Sequence, residues 1–207
     1  ISQTLDSLLS QTYKNIIIKI FDNMSDDGSW EIVKEYSKKY PNIQALQNSK
    51  NIGAEANFTK CIQGLEGEYG ALYHADDLYS PLMVEIQVKY LSEKDVSAVF
   101  VKADYINDKS EKIGEQSLPD KIQKNDFYQL SFKKLFGSIL EGTHLLFTPS
   151  AMARVDIYQE QIKFWDGCVF KTAADIDVWL RFSLVKDVGL ITKKLMSYRL
   201  SESSYSY

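Results

Sequence analysis

Scarcity is the first thing the 207-residue sequence offers: two cysteines, four prolines and two histidines. Cys61 and Cys168 stand far apart and match no metal or redox spacing, so they read as reduced, buried thiols. No apolar run approaches the roughly 20 residues of a membrane-spanning helix, and no secretory leader is visible. Cationic side chains are in deficit. Lys and Arg number 24 against 28 Asp and Glu, a formal charge of −4 with a pI near 5.3. A nucleic-acid binder would show a basic face instead. No P-loop or dinucleotide pattern occurs, which leaves Gly28 and Gly53 as weak phosphate-loop hints. Repeats, low-complexity tracts and linkers are missing too. What remains is ordinary for a globular protein, 44% hydrophobic and 25% charged. It is long enough to bury a core as one domain over 1–207, with unequal halves at 1–101 and 102–207.

Few as they are, the prolines punctuate the pattern. Leu5, Leu8 and Leu9 follow an N-cap at Ser2, predicting a helix to about Thr12. Asn15–Phe21 is a β-branched strand, and Ser29 to about Tyr40 an amphipathic helix that Pro41 stops. A strand at Ile43–Leu46 precedes a helix through Cys61 and Leu65. Tyr69–Tyr73 reads as a strand, Pro81 to Leu91 as a helix and Val96–Val101 as a strand. Strands alternating with helices predict an α/β fold with a mostly parallel sheet flanked by helices. The opening helix calls for a strand ahead of it, and the chain has no initiating Met, so a first strand reads as missing. Beyond Ala103 the pattern becomes mixed. A hairpin turn falls at 105–110, a helix at Asn125–Phe136 and a strand at His144–Phe147. Met152–Gln161 reads as strand then helix. A last helix over Asp175–Val185 carries the stripe Ile176, Trp179, Leu180 and Leu184. Late strands follow at Leu190–Ile191 and Leu195–Leu200.

The acids fall at element ends. Asp22 follows one strand, Asp76 and Asp77 another, and Asp175 opens the last long helix. In an open α/β sheet the loops at the carboxyl ends of strands are where ligands sit. Adjacent carboxylates there repel each other unless a cation lies between them, and hard oxygen ligands suit Mg²⁺ or Mn²⁺ carrying a diphosphate. Asp22, helped by Ser25 and Asn51, could accept hydrogen bonds from a pyrimidine edge or a ribose hydroxyl. Helix capping is the plain alternative for Asp22, Asp77 and Ser80. Trp165, beside Asp166-Gly167, is a candidate to stack on an acceptor sugar. Trp179 reads as core, Arg181 as half of an internal ion pair and His144 as a packed core histidine.

These residues carry a resemblance. Asp22-Asn23-Met24-Ser25 resembles the VDDGS turn of family-2 glycosyltransferases of the GT-A fold. Asn51-Ile52-Gly53, Asn57 and Gly67-Glu68-Tyr69 leading to Ala75-Asp76-Asp77 are similar to their N-G…N…GEY…DADD succession. Ala174-Asp175-Ile176-Asp177-Val178-Trp179-Leu180-Arg181 is similar to their ED-x-D-L-W-L-R helix, and Tyr198-Arg199 to the closing YR-x-H. The likeness runs over nearly the whole chain, in order. It implies an inverting, non-processive transfer of a hexosyl or N-acetylhexosaminyl group. The donor would be a nucleoside-diphosphate sugar, UDP-linked for preference. The acceptor would be a hydroxyl on a glycan, lipid-linked saccharide or glycoprotein. In that family's terms Asp22, Ser25, Asn51, Asn57, Asp76, Asp77 and Arg199 face the nucleotide sugar. Asp76, with His74, holds the metal, and Asp175 is the general base. The implied setting is polysaccharide assembly in the cytoplasm, with room for peripheral contact at the inner membrane face and for a homo-oligomer.

Three positions depart from the pattern: His74 replaces the first acid of the DXD signature, Ala174 the Glu before the base, and Ser201 the closing His. His74 reads more readily as a packed imidazole than as a ligand. Two other readings share the acids, a non-catalytic nucleotide-sugar-binding relative and a sugar nucleotidyltransferase.

Overall fold

The computed structural model describes residues 1–143 and 145–200. Its elements in order are α1 (Ser2–Leu9), β1 (Ile18–Asp22), α2 (Ser29–Lys39), β2 (Ile43–Gln47), α3 (Ala54–Gln63), β3 (Tyr69–Ala71), β4 (Leu78–Tyr79), α4 (Met83–Glu93) and β5 (Ala98–Ile106). Then come β6 (Lys112–Glu115), α5 (Asp120–Gln123), β7 (Phe127–Leu130), α6 (Phe132–Leu140), β8 (Met152–Arg154), α7 (Gly167–Phe170), α8 (Ala174–Val185) and β9 (Val188–Arg199). A π-helical turn over Ile157–Ile162 follows β8, the strand-then-helix expected there.

β1 and β2 pair in parallel, Ile18 opposite Ile43 and Asp22 opposite Gln47. The larger sheet runs β3-β8-β5-β9-β4, with β6 added on β5 and β7 on β9. Within it β5 and β9 are parallel and the other pairs antiparallel, so pairing is more mixed than the mostly parallel expectation. β5 explains the two-layered core. Its period of two sends Ala98 and Phe100 into one apolar cluster, with Leu190, Tyr158, Val178 and Phe182, and Val99, Val101 and Ala103 into the other, with Met83, Leu91 and Leu195. Such a strand, buried on both faces, reads as a continuous apolar run. β1 and β3 line a cavity of about 600 Å³ together with α1, α3 and the loop that ends at Asp76. Among the described residues no helix is long and apolar enough to cross a membrane.

Several expectations are corrected. Asn125–Phe136 is not one helix: Phe127–Leu130 pairs with Val188–Ile191, and the helix starts only at Phe132. Edge pairing there outweighs local helix propensity. The two late strands are one, because the Lys193-Lys194 break in the apolar run is a bulged stretch where Lys194 reaches Glu115 at 2.9 Å. β4 was not foreseen. In α8 the buried side is Ala174, Val178 and Phe182 with Trp179, while Leu184 is 68% exposed. Residues 145–147 form no strand, and His144 lies outside the described residues. Both thiols are free as expected, but only Cys61 is largely shielded, its thiol pushed up to about 12 by burial, whereas Cys168 is exposed.

Candidate active site

The chain leaves β3, turns through His74-Ala75-Asp76-Asp77 and enters β4, which is pinned to β9 by Leu78–Ser197 and Tyr79–Met196 pairing. The turn is clamped from three sides. Tyr79 Oη accepts from the His74 backbone N–H at 2.8 Å and donates to its carbonyl at 3.1 Å. Thr4 on α1 donates to the Ala75 carbonyl at 2.7 Å. Arg199 on β9 gives its backbone N–H to Asp77 Oδ1 at 2.9 Å and its Nε–H to the Asp76 carbonyl at 2.8 Å. Its remaining nitrogens reach Asn107 O, Gln3 Oε1 and Ser110 Oγ. Arg199 was expected to face the nucleotide sugar. Its backbone N–H and Nε–H hold the acid turn, and its other nitrogens are taken by the 107–110 turn and Gln3.

That clamp gathers one ligand atom each from His74, Asp76 and Asp77 within 4.8 Å of one another. Asp77 is 1% exposed, and its Oδ2 has no hydrogen-bond partner. Burial pushes its carboxyl up to about 7, with the neighbouring Asp76 adding to the shift and Arg199 opposing it. His74 Nε2 is likewise shielded and unpartnered. Burial lowers the imidazole below its ordinary value, while Asp76 and Asp175 pull the other way. Two orphaned donor atoms beside an exposed carboxylate are what a divalent cation would satisfy. An imidazole with two carboxylates suits Mn²⁺ better than Mg²⁺, which prefers oxygen alone. His74 is packed against Phe58, as read from the sequence, and also offers a ring nitrogen to this cluster.

Asp22, at the end of β1, is differently placed. It is 7% exposed, and its Oδ2 accepts from Met24 N, Ser25 N and Gln47 Nε2 at 3.0, 3.1 and 3.0 Å. Burial alone would raise its pKa, but the hydrogen bonds from Ser25, Gln47 and Met24 overcome that and hold it below its ordinary value. Asn51 and Asn57 belong to an amide network that the sequence did not disclose as such. Asn23 donates to Asn51 Oδ1 and accepts from Asn48, which also donates to Asn57 Oδ1, and Asn57 donates to the Phe21 carbonyl, all between 2.9 and 3.0 Å. The network ties the loop after β1 to the loop after β2 and to α3. Asn48 was not singled out, and Asn23 stood only as part of the VDDGS-like turn; the density of Asn at element ends was the signal for Asn48.

Asp175 lies in the first turn of α8 with Asp177. Trp165 donates its indole N–H to Asp175 Oδ1 at 3.0 Å. The Trp165 ring packs on Phe58 of α3, centroids 5.2 Å apart, and Phe58 stacks on His74 at 5.4 Å. A continuous aromatic bridge thus joins α8 to the acid turn, and the field at His74 is set by Asp76 and Asp175 together. Trp165 is 6% exposed, so it forms the wall behind Asp175 rather than the open platform for an acceptor sugar that its sequence context suggested. Arg181 pairs with Asp177 at 2.7 Å and donates to the Ile162 and Phe164 carbonyls, the internal role expected. Trp179 is core, with its indole N–H on Thr148. Ser201 lies outside the described residues.

Comparison with known proteins then gives the arrangement a context. Residues 1–161 match the model of glycosyl transferase family 2. The chain is 27% identical over 204 residues to an uncharacterized glycosyltransferase of Methanocaldococcus jannaschii, covering 97% of this chain and 66% of that protein. It is 27% identical over 183 residues to the putative glycosyltransferase EpsE of Bacillus subtilis, covering 88% of this chain and 61% of the relative. It therefore spans about two thirds or less of the length of these relatives. Among solved structures, S. aureus TarS 1–349 in complex with UDP-GlcNAc superposes with a TM-score of 0.76 at 14% identity, covering 99% of this chain and 56% of that one. The UDP complex of the same protein gives 0.75 at 15%, covering 97% and 56%. The shared architecture is the GT-A fold expected from the sequence.

Proposed function

The chain belongs to glycosyl transferase family 2, and from that premise we propose that it transfers a hexosyl or N-acetylhexosaminyl group from a UDP-linked donor to an acceptor hydroxyl, with inversion. The observation that carries this reading is the convergence of two chemistries. Asp76 of the acid turn and Asp175 of α8 both act on the His74 imidazole, and the Phe58–Trp165 ring pair links His74 to Asp175, which supports a metal-side acid and a base working on one sugar. The acceptor is a glycan, a lipid-linked saccharide or a glycoprotein.

His74, Asp76 and Asp77 fit a divalent cation, which when bound neutralises charge building on the departing diphosphate. Asp22, kept ionised by its ring of donors, accepts from the nucleoside, with Ser25 exposed beside it and Asn51 and Asn57 holding the surrounding loops. Asp175 takes the acceptor's proton as the oxygen attacks the anomeric carbon. One C–O bond forms as the bond to the diphosphate breaks, the proton passes to the carboxylate, and UDP leaves. Because attack and departure are on opposite faces, a single displacement inverts the centre.

The test is UDP release from a panel of UDP-sugars with Mn²⁺, with and without candidate acceptors. Asp175→Asn is expected to lower turnover by about 10²–10⁴-fold while calorimetric donor binding persists. Full turnover in that variant would remove Asp175 as base, and EDTA-insensitive donor binding with no turnover on any acceptor would support a binding module instead.

A further inference from the structure

Resting on Asp175 as the base, we propose that Trp165 is its positioning residue: the indole N–H fixes Oδ1 and thereby assigns proton transfer to Oδ2. A carboxylate that removes a proton during attack must present one lone pair in a set direction. Asp175 sits half-buried in a first helical turn, where free rotation would swing either oxygen forward. Among the described residues the hydrogen bond from Trp165 Nε1, at 3.0 Å, is the one that restrains its carboxylate.

The indole can do this because it is itself held. Its backbone N–H donates to Thr59 Oγ1 at 3.0 Å, its ring lies on Phe58, and it is 6% exposed. Two residues on, the chain presses so closely on α3 that a Cβ at Gly167 would come within 2.4 Å of Glu55 Cγ. Thr59, Phe58 and Glu55 all belong to α3, so the orientation of a carboxylate on α8 is referred to a different helix. Indole is a donor only; it can direct the carboxylate without competing for the proton. An oxygen already accepting a hydrogen bond is the less basic of the pair, which leaves Oδ2 for the acceptor hydroxyl. Phe58 also stacks on His74, so the wall that aims the base abuts the first residue of the acid turn.

Two measurements test this. The protein has three tryptophans, so ¹⁵N labelling gives one indole resonance each for Trp30, Trp165 and Trp179. Asp175→Ala is expected to shift the Trp165 resonance and speed its solvent exchange while the other two stay in place. An unmoved resonance overturns the proposal without reference to any substrate. On the UDP-sugar that the donor panel selects, Trp165→Phe keeps the ring and removes the donor. It is expected to lower kcat by about 10-fold with the donor KM within about twofold, and to add no further loss in the Asp175→Asn background. Equal losses in both backgrounds would make Trp165 a structural wall only and overturn the proposal. Undiminished turnover in Asp175→Asn alone would instead defeat the base assignment, a separate result.

Discussion

Two buried aspartates occupy the ends of strands in this molecule and are treated in opposite ways. Asp22 accepts from two backbone N–H groups and the Gln47 amide through one oxygen, and stays ionised below the usual range. Asp77 is buried more completely, shares one oxygen with the Arg199 backbone N–H, leaves the other unpartnered and is pushed up to about 7. A carboxylate satisfied by its own chain is finished on folding. One left short of partners, beside a second acid and a shielded imidazole nitrogen, is finished only when something positive arrives. The difference separates a carboxylate closed by its own loop from one still open to a cation.

Removing the proposed cation ligands gives the largest expected effect. Asp76→Asn and Asp77→Asn should each weaken Mn²⁺ binding by about 10–100-fold or more, measured by titration calorimetry, while Asp22→Asn leaves it within about twofold. Equal losses at Asp22 would erase the distinction between the two edges.

Acid and base should then move the two aspartates in opposite senses. The lowered pKa of Asp22 contributes stability that is present above its unfolded value near 4 and is lost as pH falls below it. The raised pKa of Asp77 works the other way. Between about pH 4 and 7 the folded chain holds a proton that the unfolded chain has released, so stability declines as pH rises through that window. In EDTA, the melting temperature should therefore fall from pH 5 to 7.5, and Mn²⁺ added at pH 7.5 should restore it. Asp77→Asn should flatten that decline, and Asp22→Asn should flatten the acid limb at a cost of about 1–3 kcal/mol at neutral pH. A decline that persists in Asp77→Asn would mean another group drives it.

Much of this was legible in the order of residues, and the parts that were not share a cause. Asp76, Asp77 and Asp175 stand where strands and helices begin or end, and a chain read locally reveals such positions. β5 was visible because its apolar run is continuous. By contrast, Arg199 looks like a ligand-facing arginine until β4, unforeseen, brings the acid turn against β9 and takes its Nε–H, while Asn107, Ser110 and Gln3 take the rest. Trp165 looks like a sugar platform until α3 covers its face. The Phe127–Leu130 strand needs a partner about 60 residues away before it is preferred over helix. In each case the deciding contact is long-range, and no local pattern encodes it.

The smallest expected effect probes whether the recognition edge stands alone. Asn48 is buried, donates to Asn23 and Asn57 and accepts from Lys60 at 2.7 Å. Asn48→Ala removes these bonds and the donor to the half-buried Asn57 Oδ1, while Asn23 Oδ1 keeps the Ile52 backbone N–H, so urea unfolding should show a loss of about 1–2 kcal/mol. Donor binding should weaken modestly, because Asn23 loses its link to Asn48 and α3 while its bonds to Asn51, Ile52 and Gly53 remain. Mn²⁺ affinity should not change, since neither Arg199 nor Tyr79 nor Thr4, which hold the acid turn, touches this network. A parallel loss of metal affinity would show that α3 transmits strain through Phe58 to His74, making the two edges one mechanical unit rather than two separately built ones.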